Sequence, residues 1–116
     1  MKNGIDIVEI KKFEDLKSNE NFMNKTFTEN EINYFIKTNY NTATIAGIYA
    51  AKEAFLKAIK KGINTYSLKD IEIIHDIFNA PIIKLHNELD RLIESDKSSL
   101  SISHDGEYSI ASVIIF

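Results

Sequence analysis

The hydrophobic pattern changes period along the chain, and each change marks an element. Residues 2–9, KNGIDIVE, carry the β-branched Ile5, Ile7 and Val8 and read as a strand. Over 10–17, Ile10, Phe13 and Leu16 fall three apart, which predicts a short helix. Asn19 to Lys25 reads as a turn or a further helical turn. Thr28-Glu29-Asn30-Glu31 is a capping-box pattern: the threonine hydroxyl accepts from the backbone N–H three residues on, and the glutamate reaches back. A helix is expected from there to about Lys37, then a polar loop over 38–42. Residues 43–61 are the longest helical segment, with Gly62 as its stop. Residues 70–78 and 81–86 predict a hairpin around Asn79-Ala80-Pro81. Asn87 is placed to cap a helix over 88–95, with Leu89, Leu92 and Ile93 on one face. The last strands, 98–104 and 107–115, flank Asp105-Gly106, where a type I′ turn with positive φ at both residues is expected. This order predicts a single α+β domain over 1–116, with a mainly antiparallel sheet packed with helices.

Composition narrows the function more than the fold. A chain of 116 residues with 44% apolar and 27% charged residues can bury one core without staples. The absence of cysteine excludes a disulfide framework and any cysteine-ligated zinc or iron–sulfur site, and fits a reducing cytoplasm. No apolar run approaches the ~18 residues of a membrane span, and no secretory leader pattern opens the chain, so a cytoplasmic, membrane-free protein is expected. A net charge of −3 and the lack of an aromatic–basic stripe argue against nucleic acid as a partner. There is no phosphate-binding glycine loop, dinucleotide fingerprint or nucleophile elbow.

The candidate chemistry lies where charge interrupts apolar pattern. In the 43–61 helix, Ile45, Ile48, Tyr49, Phe55, Leu56 and Ile59 form a bulky stripe, and Gly47, Ala50, Ala51, Ala54 and Ala58 form the opposite face. A helix apolar all round is buried on both sides. Its charges between Ala43 and Ile59 are Lys52, in the middle of the stripe, and Glu53 and Lys57, four apart on its edge. The last two are either a surface pair worth ~0.2–0.5 kcal/mol or buried charges in need of a partner or ligand. Asp6 poses the same choice inside a strand that reads as buried on both faces. It is a solvent-side aspartate or, with Glu53, half of a Mg²⁺ site, since Mg²⁺ takes one or two carboxylates, waters and substrate phosphates. His104, at a strand end before a tight turn, is either structural or rigidly presented. His75 and His86 show no metal-ligand spacing and read as structural.

Three blocks together carry a resemblance: Gly4-Ile5-Asp6-Ile7-Val8-Glu9-Ile10; Ala46-Gly47-Ile48-Tyr49-Ala50-Ala51-Lys52-Glu53-Ala54-Phe55-Leu56-Lys57-Ala58 with Gly62-Ile63; and Leu100-Ser101-Ile102-Ser103-His104-Asp105 with Tyr108. Phe27-Thr28-x-x-Glu31, Asp70-Ile71-Glu72-Ile73 and Asn79-Ala80-Pro81 fall between them in the matching order. In this the chain resembles the short bacterial holo-[acyl-carrier-protein] synthases of the 4′-phosphopantetheinyl transferase family, over essentially its whole length. The resemblance implies a 4′-phosphopantetheinyl transferase fold and the transfer of phosphopantetheine from coenzyme A to a serine of acyl carrier protein, with release of adenosine 3′,5′-bisphosphate, in fatty acid biosynthesis. It implies Mg²⁺ on Asp6 and Glu53, with Lys57 against phosphate charge. Lys52, Lys57, Gly62, Ile63, Pro81, Ser103 and His104 would line the coenzyme A site. Carrier docking would fall to Lys11, Lys12, Lys17 and Lys25. It also implies a homotrimer with sites at subunit interfaces, where we expect Asp6 from one chain to meet Glu53 of its neighbour.

Two departures from the family pattern stand out. Ile48 occupies a position often Arg, and the first helical region is diluted by Glu9, Glu14 and Asp15 and has no Arg. Lys offers a point charge without the bidentate fork of Arg. The competing reading is a non-catalytic trimeric coenzyme A-binding or scaffold domain on the same fold.

Overall fold

The computed structural model of the protein describes residues 1–60 and 66–116. Strands β1 (Lys2–Glu9), β4 (Ser98–Asp105) and β5 (Tyr108–Ile115) form an antiparallel sheet in the order β1-β5-β4. Strands β2 (Ile71–His75) and β3 (Pro81–Leu85) form a separate antiparallel pair. Helices α1 (Lys12–Leu16), α2 (Glu20–Thr26) and α3 (Glu29–Lys37) lead into the long α4 (Thr42–Ala58), and α5 (Glu88–Leu92) links β3 to β4. The expected α+β class and antiparallel pairing hold, with the strands divided into two sheets.

Helix α4 organises the core. Twelve of its seventeen residues are buried, so it is covered all round. Its small-residue face packs on the three-stranded sheet. A Cβ added at Gly4 would overlap the carbonyl oxygen of Ala54 and come within 2.6 Å of the Ala58 nitrogen, and one at Gly47 would lie 2.8 Å from Ile102 Cγ2. Helix and sheet therefore touch backbone to backbone at Gly4. The bulkier side packs with Phe27 and Phe35, whose rings stand edge to face 4.9 Å apart, and with Ile71, Ile73, Ile83 and Leu85 of the small sheet.

Local chemistry explains where the elements stop. The capping box forms as expected: Thr28 Oγ1 accepts from Glu31 N at 3.2 Å, and Glu31 Oε1 accepts from Thr28 N at 2.9 Å. Asn41 Oδ1 accepts from Thr44 N and starts α4 at Thr42. The helix ends at Ala58 rather than residue 61, because Lys60 takes the left-handed conformation, φ 59°, expected of Gly62. Gly62 and Ile63 lie outside the described residues. Strand β2 ends at His75, not residue 78: Asp76 Oδ1 accepts from the backbone N–H of Phe78 and Ala80 at 2.8 and 2.9 Å and folds the tip into a turn. Helix α5 ends at Leu92 rather than 95, and the Asn87 side chain does not cap it but donates to Asp70 Oδ1 at 2.7 Å. The last hairpin turns on Gly106-Glu107, with Asp105 paired to Tyr108. Only Gly106 has positive φ there, so the type I′ turn expected on Asp105-Gly106 does not form.

Candidate active site

Alternate residues of a strand share a face, so Gly4, Asp6 and Val8 all point toward α4. Beyond the tight contact at Gly4, Asp6 is the first polar side chain to meet the helix. On α4, Tyr49, Glu53 and Lys57 are spaced four apart and form one ridge. Lys57 Nζ donates to Asp6 Oδ1 at 2.8 Å, so its ion pair runs across to β1. The Asp6 side chain is 12% exposed and that of Lys57 56%. Asp6 Oδ2 is buried without a hydrogen-bond partner, alone in this among the side-chain nitrogens and oxygens of the described residues. An unsatisfied buried acceptor costs about 1–3 kcal/mol, which this carboxylate recovers on meeting a cation or a donor.

The Tyr49 hydroxyl faces the same carboxylates. Burial first, then the neighbouring Glu53 carboxylate and the charge of Asp6, hold this phenol well above its ordinary range. Its ring rests on Phe13 and Phe22, with centroids 5.2 and 6.0 Å away. One chain thus gathers Asp6, Glu53, Lys57 and Tyr49. Within one chain, Asp6 meets the ridge of its own α4 through Lys57. Among the described residues no three His, Asp or Glu converge as a metal cage. The residues fit a cation of the Mg²⁺ kind, which needs only one or two protein carboxylates, and the unpartnered Asp6 Oδ2 supplies the donor.

Lys52 is a correction. Its side chain is fully buried, and its three ammonium protons go to Glu31 Oε1 at 2.7 Å, Leu68 O at 2.9 Å and Ile71 O at 2.7 Å. It has no donor left for a phosphate. The partner, Glu31, also accepts from Ile73 N at 2.8 Å, so the capping-box glutamate ties α3, α4 and β2 together. Desolvation pushes Glu31 up and Lys52 down from their ordinary values, and their mutual attraction opposes both shifts. Nearby, burial raises Glu72, but bonds from Thr28, His86 and Asn30 outweigh it and hold the carboxyl below its ordinary value. His86, read as structural, serves here with Nε2 3.0 Å from Glu72 Oε1.

The remaining candidates divide. Lys11, Lys12 and Lys25 are exposed on α1 and α2 or beside them. Lys17 is not available for docking. It donates to Tyr40 O at 3.2 Å and Thr42 Oγ1 at 2.8 Å, pinning the end of α1 to the start of α4. Ile48 is 2% exposed and belongs to the core. Pro81 is half-buried at the start of β3, opposite His75. Ser103 and His104 are both exposed, and as strand neighbours they point to opposite faces. His104 is on the α4 side, in the cross-strand row of Ser109 and Val8, one row along from Asp6 and two strands away. Ser103 is on the opposite, open face. Sequence reasoning missed Tyr49 as a polar group because it sits in an apolar stripe. The available signal was its spacing of four from Glu53.

Comparison with known proteins follows the same lines. A profile described as the 4′-phosphopantetheinyl transferase superfamily matches residues 3–113. The holo-[acyl-carrier-protein] synthase of Clostridium perfringens (strain ATCC 13124) is 44% identical, with 93% of this chain and 87% of the relative covered. Among solved structures, Helicobacter pylori holo-[acyl-carrier-protein] synthase in complex with coenzyme A superimposes with a TM-score of 0.84 at 36% identity, over 98% of this chain and 99% of that one. The Neisseria meningitidis holo-[acyl-carrier-protein] synthase gives a TM-score of 0.86 at 30% identity, over 99% and 97%. The overall fold is thus shared, and the chain belongs to the 4′-phosphopantetheinyl transferase superfamily, among its holo-[acyl-carrier-protein] synthases.

Proposed function

We propose that this protein transfers the 4′-phosphopantetheine group of coenzyme A to a serine of apo acyl carrier protein, with adenosine 3′,5′-bisphosphate as the other product. The serine oxygen forms a bond to the pantetheine-bearing phosphorus, and the bond from that phosphorus to the bridging oxygen of the pyrophosphate breaks. The observation that carries this reading is the cluster of Asp6, Glu53 and Lys57, with one Asp6 oxygen buried and unpartnered. Asp6 and Glu53 would hold Mg²⁺, which when bound polarises the phosphoryl group and offsets charge on the leaving bisphosphate. Lys57, more than half exposed and tethered only to Asp6, can turn its ammonium to a phosphate oxygen. Glu53, which has no ion pair among the described residues, is the carboxylate to take the serine proton.

The carrier docks on Lys11, Lys12 and Lys25, whose charges complement an acidic partner. Pro81, Ser103 and His104 serve coenzyme A within a homotrimer in which each site is completed by a neighbour. Two features support the trimer: Ser103 and His104 point to opposite faces of their sheet, and the face away from α4 exposes Ile5, Ile7 and Ile114 by 54, 60 and 37%. The setting is cytoplasmic fatty acid synthesis, which agrees with the absence of cysteine and with the finding that no helix among the described residues is long and apolar enough to cross a membrane.

Calorimetry of coenzyme A binding with Mg²⁺ and with EDTA tests the site. The proposal expects binding to weaken about tenfold or more in EDTA, and Asp6→Asn to abolish the difference. Metal-independent binding of equal strength would contradict it.

A further inference from the structure

We propose that Thr42, bonded to Lys17 and Glu14, is a positioning residue for the carrier: this latch fixes the angle at which α1 is held to α4, and so the approach of the docked carrier to Glu53. The inference rests on the reading above that the carrier docks on the exposed lysines of α1. Helix α1 needs a second anchor. It has five residues and no side-chain cap, and it buries only Phe13. The Phe13 ring packs on Phe22 and Tyr49, with centroids 6.2 and 5.2 Å away. One apolar pivot fixes where a short helix lies but leaves it free to turn about that point. The second point is the Thr42 hydroxyl, in the first turn of α4 on a residue 9% exposed. It accepts from Lys17 Nζ at 2.8 Å and donates to Glu14 Oε1 at 2.9 Å, so α1 and its C-cap fill both of its bonding roles. Lys17 and Glu14 also pair directly at 3.6 Å. An exposed ion pair by itself contributes little; the buried hydroxyl between these two charges is what gives them a fixed geometry. Lys17 further donates to Tyr40 O at 3.2 Å, in the link where Asn39 and Tyr40 both hold positive φ, 57° and 51°. Phe13 and Lys17, four apart, share the side of α1 that meets α4, while Lys11 and Lys12 stay exposed. From Thr42 the same helix runs eleven residues to Glu53, about 16 Å at 1.5 Å per residue. One rigid element therefore joins the latch to the acidic ridge.

The test is calorimetric titration of apo acyl carrier protein, and separately of coenzyme A, into the wild type, Thr42→Val, Thr42→Ser, Lys12→Ala and the double variant Thr42→Val with Lys12→Ala. Thr42→Val keeps the side-chain shape and removes the hydroxyl. It should raise the dissociation constant for the carrier about tenfold, within the range for coupled residues, and leave that for coenzyme A within about twofold. Thr42→Ser keeps the hydroxyl and should bind the carrier like the wild type. In the Lys12→Ala background, Thr42→Val should cost less than about threefold, because the latch works by placing that lysine. Unchanged carrier affinity in Thr42→Val would overturn the inference. So would an equal loss in both backgrounds, or an equal loss for carrier and coenzyme A, since the hydroxyl would then be a structural bond only. Should Thr42→Val not fold, Lys17→Met, at a partly exposed side chain, takes its place with the same expectations. A Lys12→Ala protein that binds the carrier as the wild type does would overturn the docking reading together with this one. Weakened binding in Lys12→Ala with none in Thr42→Val would overturn this one alone.

Discussion

Lys52 and Lys57 lie on one helix five residues apart and have opposite fates. Lys52 points into the core, where Glu31 and two carbonyls consume its ammonium, while Lys57 stands at the rim with an exposed stem and a single tether to Asp6. Sequence pattern separated them only in part. The helical stripe put Lys52 among bulky apolar residues and raised the need for a partner. That partner lies 21 residues away and shows in the sequence only as the end of a capping box. Asp6 and Glu53 were legible because a carboxylate in an apolar run is conspicuous; Tyr49 was not, because its ring hides its hydroxyl in the pattern. Removing one member of a buried ion pair strands the other charge, at about 3–5 kcal/mol. Lys52→Met should therefore lower stability to urea by roughly that amount and leave the coenzyme A affinity of the folded fraction unchanged. Lost coenzyme A affinity at wild-type stability would restore Lys52 to the binding site. Lys57→Ala should do the reverse: stability within about 1 kcal/mol of wild type, since the lysine is largely exposed, and a large loss of transfer rate.

At the level of elements, the meeting of β1 and α4 sets the site. Glycine at position 4 and the alanines of α4 allow contact between backbones, and this close approach brings Asp6 against the ridge of Glu53 and Lys57. Both elements were visible in the sequence, β1 by its β-branched run and α4 by its length and two apolar faces. Their ends were less so. The α4 stop moved to Lys60 and the β2 end to His75, because a lysine accepted the left-handed conformation and the Asp76 carboxylate captured two backbone donors. Such choices depend on local hydrogen bonds that periodicity does not record. Gly4→Ala should force the helix off the strand and destabilise the protein by about 3 kcal/mol, the upper range for overpacking. Its denaturation midpoint should fall well below that of Gly106→Ala, where a Cβ meets nothing within 4 Å and only the positive φ is penalised, by about 1–2 kcal/mol. Equal losses at the two positions would mean that the seam is looser than the structure has it.

For the molecule as a whole, the pattern of β1 suggested burial on both faces, and a single chain buries only one. Ile5 and Ile7 lie on the open side of the three-stranded sheet, with Ile114 beside them. A second chain on that face would resolve the mismatch, which is why the proposed trimer uses it. Ile7→Glu should convert the protein to monomers by light scattering while each chain stays folded; a trimer that persists would place the interface elsewhere. The central claim is the transfer itself. It is tested most directly by intact-mass measurement of apo acyl carrier protein incubated with this protein, coenzyme A and Mg²⁺, in parallel with EDTA and with Glu53→Gln. The account predicts that the carrier gains the mass of one phosphopantetheine with Mg²⁺, and none with EDTA or with the variant. A carrier that stays unmodified, while calorimetry shows the protein binding both coenzyme A and the carrier, would contradict it and leave a binding domain on a transferase fold.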